Sequence, residues 1–277
     1  MDEKLQKVLA RAGIGSRREM ERWIEQGRVK VNEQVATIGD RVTDEDRIKV
    51  DNRSISLSRT QVSQRVIAYH KPVGEVCTRD DPEHRTTIFK YLPKLKAGRW
   101  ISVGRLDLNT SGLILLTTDG ELANKLMHPS SEIEREYAVR ILGEVSPEII
   151  AELKKNVPLD DGDAHFVDVK DAGGQGANRW YHVILKEGRN REVRRLWEYF
   201  GFAVSRLMRI RYADITLERK LRPSTSIDLT ESQLETIYQS VGLEYKKPEG
   251  KKDKSRFKAN RNPNTSVYKG RSSNKRR

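Results

Sequence analysis

A short polar segment, residues 104–112, begins and ends with glycine and lies between two β-rich runs. The apolar run of residues 113–116 that follows it is typical of a strand, and Asp119 and Gly120 then predict a turn. A loop of this kind can hold a reactive side chain on a rigid sheet. Asp107 is the carboxylate of this loop, two residues after Arg105. Because aspartates after strands often form turns or cap helices, Asp107 alone does not establish a site.

A second informative region lies downstream, where four arginines crowd the predicted start of a helix. They are Arg189, Arg191, Arg194 and Arg195. The helix is predicted from an apolar stripe that follows the i, i+3, i+4, i+7 pattern and ends at Gly201. The stripe consists of Val193, Leu196, Trp197 and Phe200. Arg194 and Arg195 lie off the stripe, where an arginine can reach a carboxylate or a phosphate.

The net charge is +13, and most of it lies at the C-terminus. Residues 246–277 carry 13 Lys and Arg against 2 acidic residues, a balance of +11, with few large apolar side chains. Such a segment cannot bury enough surface to offset its ordering entropy, so we expect it to be disordered in isolation. Either a solubilising tail or an arm that binds RNA phosphates fits this composition, and the charge favours the RNA arm.

Cysteine content and apolar runs bear on compartment and cofactors. Cys77 is the single cysteine, which excludes an internal disulfide. With neither a bilayer-length apolar run nor an N-terminal signal, the chain is expected in a reducing cytoplasm, with no membrane partner. Scattered histidines without metal-ligand spacing predict no metal site.

The first 30 residues predict two short helices. The first has an apolar stripe that starts at Leu5 and is stopped by glycines at 13 and 15. Ser16 is predicted to cap the second, with Glu19 completing a capping box and Gly27 ending the helix. Alternating residues 28–32 and a β-rich stretch at 48–50 then predict strands. Residues 51–63 are polar and without pattern, which indicates a linker.

Basic residues lie mostly opposite the apolar stripes of these two helices. They are Lys4, Lys7, Arg11, Arg17, Arg18 and Arg22. A charged helix face is commonly just solvated, so the count alone leaves RNA binding open. Residues 12–18, Ala-Gly-Ile-Gly-Ser-Arg-Arg, and 27–32, Gly-Arg-Val-Lys-Val-Asn, resemble an S4 domain, a small RNA-binding module. That resemblance implies that Arg17 and Arg18 contact RNA.

The rest of the chain favours strands over helices. Helices are predicted over residues 120–127, 147–156 and 191–200, with Ser146 as a cap, and a further one over 230–240 with Gln233 completing its box. Strands outnumber helices without strict alternation, which predicts an α+β fold with a mixed, mainly antiparallel sheet. We divide the chain into residues 1–60, 61–245 and a basic tail, 246–277.

Three segments of the second part resemble motifs of RNA pseudouridine synthases. These segments are Lys-Pro-Val-Gly at 71–74, Gly-Arg-Leu-Asp-Leu-Asn-Thr-Ser-Gly at 104–112, and Gly-Arg-Asn-Arg-Glu-Val-Arg-Arg at 188–195. Together with the S4-like start, they are similar to the group that modifies single ribosomal RNA sites. The resemblance implies isomerisation of uridine to pseudouridine in large-subunit (23S) ribosomal RNA by base flipping, without a cofactor.

The same resemblance assigns roles to individual residues. Asp107 is the implied essential carboxylate, acting on the ribose as nucleophile or as base, and the sequence leaves both roles open. Arg194 is the implied buried partner of Asp107, a cation whose charge offsets the desolvation of the Asp107 carboxylate and keeps it ionised. Tyr137 matches the family's active-site tyrosine, which packs on the uracil, although a core aromatic would fit the same pattern.

Further arginines are implied to contact RNA. Arg105 is expected either to fill the space left by the flipped nucleotide or to bind a phosphate. Phosphate contacts or bracing of the pocket are expected from Arg189, Arg191 and Arg195. The implied partner is large-subunit ribosomal RNA or a pre-ribosomal particle, bound by a monomer.

Two other functions are compatible with parts of the sequence. A non-enzymatic RNA-binding protein would account for the S4-like start and the tail, but leaves Asp107, Tyr137 and Arg194 unexplained. A glycosidase would also attack a glycosidic bond, but it generally needs a second carboxylate at a defined separation, which sequence does not reveal.

Overall fold

The computed structural model describes residues 2–55 and 63–247. Residues 3–55 form a small unit of two helices and short antiparallel strands. Its elements are β1 (Glu3–Lys4), α1 (Leu5–Arg11), α2 (Arg17–Glu25), β2 (Val29–Val31), β3 (Gln34–Val35), β4 (Arg41–Val42), β5 (Ile48–Val50) and β6 (Arg53–Ile55). Leu5 and Leu9 on α1 pack with Met20 and Ile24 on α2 in one buried core, as the apolar spacing predicts.

The start of α2 has the predicted capping box. Ser16 Oγ accepts from the Glu19 backbone N–H at 3.1 Å, and the Glu19 carboxylate accepts from the Ser16 N–H at 3.2 Å. Two otherwise orphaned donors are thereby satisfied, so the chain turns into α2 at this point. Gly27, with φ of +68°, follows the end of the helix as predicted.

The predicted linker contains a strand. Asp51 and Asn52 have φ of +47° and +62° and form a tight turn, after which β6 pairs antiparallel with β5. Arg28, the residue before β2, donates to the Asp51 carboxylate at 2.9 Å and thereby stabilises this turn. The linker prediction is therefore wrong for residues 53–55, where local turn chemistry outweighs weak apolar patterning. Residues 56–62 lie outside the described residues, as does the predicted tail beyond residue 247.

Residues 66–239 contain the remaining elements. They are β7 (Val66–Lys71), β8 (Ile101–Val103), β9 (Ser111–Thr117), α3 (Gly120–Met127), β10 (Arg135–Leu142), α4 (Pro147–Leu153), β11 (Val157–Leu159), β12 (Gly162–Ala164), β13 (Asp168–Gln175), β14 (Asn178–Leu185), α5 (Glu192–Tyr199), β15 (Val204–Tyr212), β16 (Ile215–Thr216), β17 (Ser226–Asp228) and α6 (Glu231–Gln239). All four predicted helices are present, although α4 is shorter than expected. In the described ranges no helix is long and apolar enough to cross a bilayer.

A nine-stranded sheet forms the centre of this part. Its strands follow the order β13-β14-β10-β15-β9-β7-β17, with β16 beside β15 and β8 beside β9. β9 pairs with β15 in parallel, and the other described pairs of the sheet are antiparallel. The α+β prediction of a mixed, mainly antiparallel sheet is confirmed.

Strand β9 is buried on both faces, which explains its uninterrupted apolar run. Leu113 and Leu115 belong to a core shared with α3 and α6, whereas Ile114 and Leu116 belong to the core shared with α4 and α5. Side chains alternate between the faces of a strand, so a central strand covered on both sides has no solvent-facing positions. The loop that carries Asp107 enters this rigid central strand.

Candidate active site

A cavity of about 520 Å³ opens beside the loop between β8 and β9. Its walls come from that loop, from β10 and β15, and from the segment that joins β14 to α5. The polar residues that line it include Arg105, Asp107, Thr110, Arg135, Tyr137, Glu187, Arg189, Arg191, Glu192 and Arg209. Residues far apart in sequence thus converge on one space of the size that proteins use for small ligands.

Asp107 lines this cavity and is partly exposed. Within the described ranges, its carboxylate has no hydrogen bond and no ion pair, whereas its backbone carbonyl accepts from the Thr110 N–H at 3.0 Å. The residue before it, Leu106, is buried, and its N–H lies 3.4 Å from Cys77 Sγ. The backbone is therefore held while the carboxylate is left available to a ligand.

Lys71, at the end of β7, holds this loop; it is the first residue of the Lys-Pro-Val-Gly motif, for which the sequence assigned no individual role. Its side chain is fully buried, and Nζ donates to the carbonyls of Asp107 at 3.0 Å, Thr110 at 2.7 Å and Pro72 at 3.0 Å. Burial lowers the pKa of Lys71, and the charge of Asp107 opposes that shift. The signal in the sequence was the Lys-Pro-Val-Gly motif at residues 71–74, which follows the apolar residues 66–69 after His70.

Arg194 reaches the same loop from α5. It is 7% exposed; Nη2 donates to the Asn109 carbonyl at 3.1 Å and Nη1 to the Val204 carbonyl at 2.8 Å. Burial lowers the pKa of Arg194, and the charge of Asp107 opposes this. A direct Asp107–Arg194 ion pair was expected, but the guanidinium donates instead to the Asn109 carbonyl of the loop and to the Val204 carbonyl at the start of β15. Its positive charge still acts on Asp107, while its hydrogen bonds position the loop.

Tyr137 lies on β10 and is 8% exposed. It belongs to the core on the α5 face of the sheet, and it also lines the cavity. Tyr137 is therefore both a core aromatic and a residue of the cavity wall. In the register of the sheet, Tyr137 stands opposite Arg209 on β15.

A β-bulge in β15 shapes the cavity wall beside Tyr137. Tyr137 pairs with Arg209 but Glu136 pairs with Arg211, so Ile210 is the extra residue. Because the extra residue offsets the alternation, Arg209 and Tyr212 both line the cavity although they are three positions apart. Arg209 is 2% exposed, and its Cζ lies 5.1 Å from the ring centroid of Tyr212.

Arg135 lies next to this wall and was also missed. It is 7% exposed, and Nη1 donates to the carbonyls of Ile133, Lys186 and Glu187 at 2.7–3.1 Å. Its guanidinium thereby joins the start of β10 to the segment before α5. Within the described part of the chain, neither Arg135 nor Arg209 has a carboxylate in ion-pair contact. A sequence pattern does not reveal such buried arginines, because an arginine in a strand is ordinarily a surface residue.

The arginines expected to contact RNA are placed differently from one another. Arg105 is exposed at the cavity, and Arg191 also lines it while its Nη2 lies 3.4 Å from Glu198. Arg189 lines the cavity but is paired with Glu187 at 2.7 Å. Arg195 is not among the lining residues; it forms two hydrogen bonds to Asp161, at 2.7 and 2.9 Å. For Arg189 and Arg195 these contacts favour the bracing role.

Arg17 and Arg18 are exposed on α2, away from this cavity. Arg17 lines a separate cleft of about 350 Å³ between the N-terminal unit and the start of α3, together with Arg11 and Arg99. Burial lowers the pKa of Arg99, and the charge of Arg17 adds to that shift. Lys7 and three carboxylates, those of Glu3, Asp119 and Glu121, line the same cleft, so a surface of mixed charge lies at the junction between the two parts of the chain.

Comparisons with known proteins bear on both parts. Residues 65–199 match the family described as RNA pseudouridylate synthase, and residues 3–48 match the S4 domain. Ribosomal large subunit pseudouridine synthase B of Pseudomonas aeruginosa is 54% identical over 261 residues, covering 94% of this chain and 68% of that protein. The protein of the same name from Escherichia coli (strain K12) is 54% identical over 267 residues, covering 94% and 91%.

A solved structure described as a pseudouridylate synthase crystal structure has a similar fold. It superposes with a TM-score of 0.60 at 26% sequence identity, and the match covers 84% of this chain and 99% of that one.

Proposed function

Because the chain belongs to the RNA pseudouridylate synthase family and is an enzyme of that type, we propose that it converts uridine to pseudouridine at a specific site in large-subunit ribosomal RNA. The substrate is inferred from the names of the relatives. Within the chain, we assign RNA binding to residues 1–60 and catalysis to residues 61–245. We assign an electrostatic role in RNA binding to residues 246–277.

The catalytic proposal depends on one observation, namely that Asp107 lines the cavity and its carboxylate has no partner among the described residues. A carboxylate that lines a cavity without a partner among the described residues, on a backbone held by buried cations, is available to react with a bound group. In the proposed reaction the C1′–N1 bond of the target nucleotide breaks, and its electron pair leaves with N1. Asp107 either attacks C1′ or removes the C2′ proton to trigger this step.

The freed uracil then turns and rejoins the ribose through C5. C5 supplies the electron pair for the new bond to C1′, the C5 proton is lost to a base, and N1 takes up a proton. If Asp107 has attacked C1′, the bond between its oxygen and C1′ breaks as C5 adds, and that electron pair returns to the carboxylate. If Asp107 has acted as base, it returns the proton to C2′. Substrate and product are isomers, so the overall reaction requires no electron carrier and no group donor. Tyr137 is proposed to pack on the uracil while the base turns. It lines the cavity beside Arg209, its register partner on the neighbouring strand β15.

The target nucleotide has to leave the base stack to reach Asp107, since a paired base is not accessible to a group inside a cavity. Arg105, which is exposed beside the cavity, is proposed to occupy the space that the nucleotide leaves. A planar guanidinium can stack on the flanking bases and donate to the orphaned partner. Arg17 and Arg18 are proposed to hold the RNA at α2 through its phosphates.

Asp107→Asn tests this function. The wild type and the variant are incubated with transcribed large-subunit RNA, and pseudouridine is mapped by carbodiimide modification and primer extension. The wild type is expected to mark a site, and Asp107→Asn to lose the mark while it keeps most of its RNA affinity in filter binding. Asp160→Asn is the matched control, because Asp160 is exposed and does not line the cavity.

Three outcomes would contradict the proposal in different ways. Equal marking by wild type and Asp107→Asn would remove Asp107 from the mechanism. RNA binding without any mark would favour a non-enzymatic RNA-binding protein. Free uracil instead of pseudouridine would favour a glycosidase, for which Glu187 and Glu192 in the cavity wall would be candidate second carboxylates.

A further inference from the structure

Arg209 is a buried cation whose hydrogen-bonding capacity is only partly used. Its Nε donates to the Leu113 carbonyl at 2.8 Å, whereas Nη2 is buried and has no hydrogen-bond partner among the described residues. No carboxylate of residues 2–55 or 63–247 is in ion-pair contact with it, and the residue lines the same cavity as Asp107. A buried charge without an anionic partner is unfavourable for the free protein, so an electron-rich ligand in the cavity would be a favourable partner.

The backbone around Arg209 leaves its position little freedom. Arg209 pairs with Gly112 across the parallel β9–β15 junction, and a Cβ on Gly112 would lie 2.2 Å from the Arg209 carbonyl oxygen. On its other side, Arg209 pairs with Tyr137 next to the bulge in β15. The backbone of Arg209 is therefore fixed between Gly112, at the end of the Asp107 loop, and Tyr137 on β10. A group that stabilises charge electrostatically has to be preorganised in this way.

The proposed reaction develops negative charge on the base, because the C1′–N1 electron pair leaves with N1. Conjugation spreads this charge onto the exocyclic oxygens O2 and O4. We propose that Arg209 donates through Nη2 to an exocyclic oxygen of the target uracil and so stabilises the base as it leaves the ribose. This assignment rests on the proposed function and makes Arg209 a catalytic residue beside Asp107.

The symmetry of uracil suits a single fixed donor. A half-turn of the ring about the N3–C6 axis exchanges N1 with C5, as the reaction requires, and at the same time exchanges O2 with O4. The position that one exocyclic oxygen vacates is therefore taken by the other. A guanidinium that does not move can donate to an oxygen both before the C1′–N1 bond breaks and after the C1′–C5 bond forms.

Sulfur substitution of the substrate tests this contact. A fragment of large-subunit RNA that spans the uridine marked by the wild type is transcribed with UTP, 2-thio-UTP or 4-thio-UTP. Single-turnover rates are measured by liquid chromatography of the released nucleosides. Since sulfur accepts hydrogen bonds weakly, the wild type is expected to act about 10-fold more slowly on at least one of the two thio-substituted RNAs.

Arg209→Met should act slowly on every RNA but should discriminate between oxygen and sulfur by less than about 2-fold, because the donor is gone. Arg206→Met is the matched control, because Arg206 is exposed on the same strand and does not line the cavity. It should retain the wild-type discrimination. A purely structural role of Arg209 would lower all three rates by the same factor.

Unchanged discrimination in Arg209→Met, or a wild type that does not distinguish oxygen from sulfur, would overturn the assignment. If Arg209→Met fails to fold in a thermal melt, Arg209→Lys takes its place, since it keeps the charge but not the planar fork, and it is expected to lose discrimination as well. Failure of the proposed function gives a different result, namely no pseudouridine from the wild type with unsubstituted RNA.

Discussion

The ammonium of Lys71 donates to the backbone carbonyl of Asp107 at 3.0 Å, while the carboxylate of Asp107 forms no hydrogen bond with any residue of the described ranges. Within the described ranges, Lys71 therefore positions the reactive group through the main chain.

Lys71→Met should damage both stability and activity. The substitution leaves one buried carbonyl, that of Thr110, and two part-buried ones, those of Asp107 and Pro72, without their donor. We therefore expect the free energy of unfolding to fall by about 2–4 kcal/mol and pseudouridine formation to be largely lost. Chemical denaturation and carbodiimide mapping measure the two effects. Lys170→Met on the edge strand β13 is the control, since Lys170 is exposed; equal effects of the two changes would contradict the role of Lys71.

Arg194 and Arg195 are neighbours on α5 with opposite expected behaviour. Arg194→Met removes the donors of two part-buried hydrogen bonds, to the Asn109 and Val204 carbonyls, and should lower the free energy of unfolding by about 2–4 kcal/mol, with loss of activity. Arg195→Met breaks a partly exposed pair with Asp161 and should cost about 0–1 kcal/mol. Denaturant titration of both variants tests the contrast, and a larger loss for Arg195→Met would show that the loop does not depend on Arg194.

Gly112→Ala should separate the two strands that carry the site. The added Cβ would lie 2.2 Å from the Arg209 carbonyl oxygen, at a residue whose φ is +109°. We expect a loss of about 3 kcal/mol or more, because overpacking and backbone strain act together. Gly143→Ala isolates the strain, since Gly143 has φ of +91° and no atom within 4 Å of the added Cβ. Similar losses in the two variants would rule out the close contact as the cause.

Glu192 should make stability depend on pH in the mildly acidic range. It is 3% exposed and lines the cavity, and its burial raises the pKa of the carboxyl above the ordinary value of 4.5. Between 4.5 and the raised pKa the folded protein binds more protons than the unfolded chain, so this group lowers stability as the pH increases through that window.

Glu192→Gln should accordingly flatten the dependence of the melting temperature on pH above 4.5, and Glu244→Gln, at an exposed position, should not. Thermal unfolding across pH 4.5–7, the window that begins at the ordinary value, measures this. Parallel curves for wild type and Glu192→Gln would show that the buried carboxyl does not titrate there.

Removal of the basic tail should weaken RNA binding without stopping the chemistry. We place the truncation after Lys247, because Lys247 forms ion pairs with Glu231 and Glu235 at 2.7 and 2.9 Å that anchor the segment after α6. The shortened protein should bind RNA more weakly and with a smaller dependence of affinity on salt. Filter binding at several salt concentrations tests this, and an unchanged slope would exclude the tail from phosphate contacts.

Local chemistry made much of the fold predictable. The capping boxes at Ser16 and Thr230 are formed as expected, because they depend on residues three positions apart. The bounds of α3, residues 120–127, also agree with the prediction. The mixed sheet followed from the balance of strands and helices, although the order of its strands depends on long-range pairing that sequence patterns do not encode.

The site was less predictable, because its geometry depends on contacts between distant segments. Asp107 and Tyr137 were found by resemblance to family motifs, and both line the cavity. The two loop carbonyls that accept from Lys71, those of Asp107 and Thr110, could not be anticipated, since the path of the loop is a tertiary property. Arg209 was missed because an arginine in a strand is ordinarily a surface residue, and its burial here depends on packing between distant segments.

The hydrogen bonds that hold the Asp107 loop also set the order in which the protein can become active during its synthesis. Lys71 is 36 residues from Asp107, but Arg194 is 85 residues beyond its acceptor Asn109. A nascent chain that has left the ribosome only as far as α3 already contains every residue of the loop but lacks one of its two supports. We therefore expect activity to begin only after α5 and β15 have emerged, and a nascent chain that ends before α5 not to modify RNA.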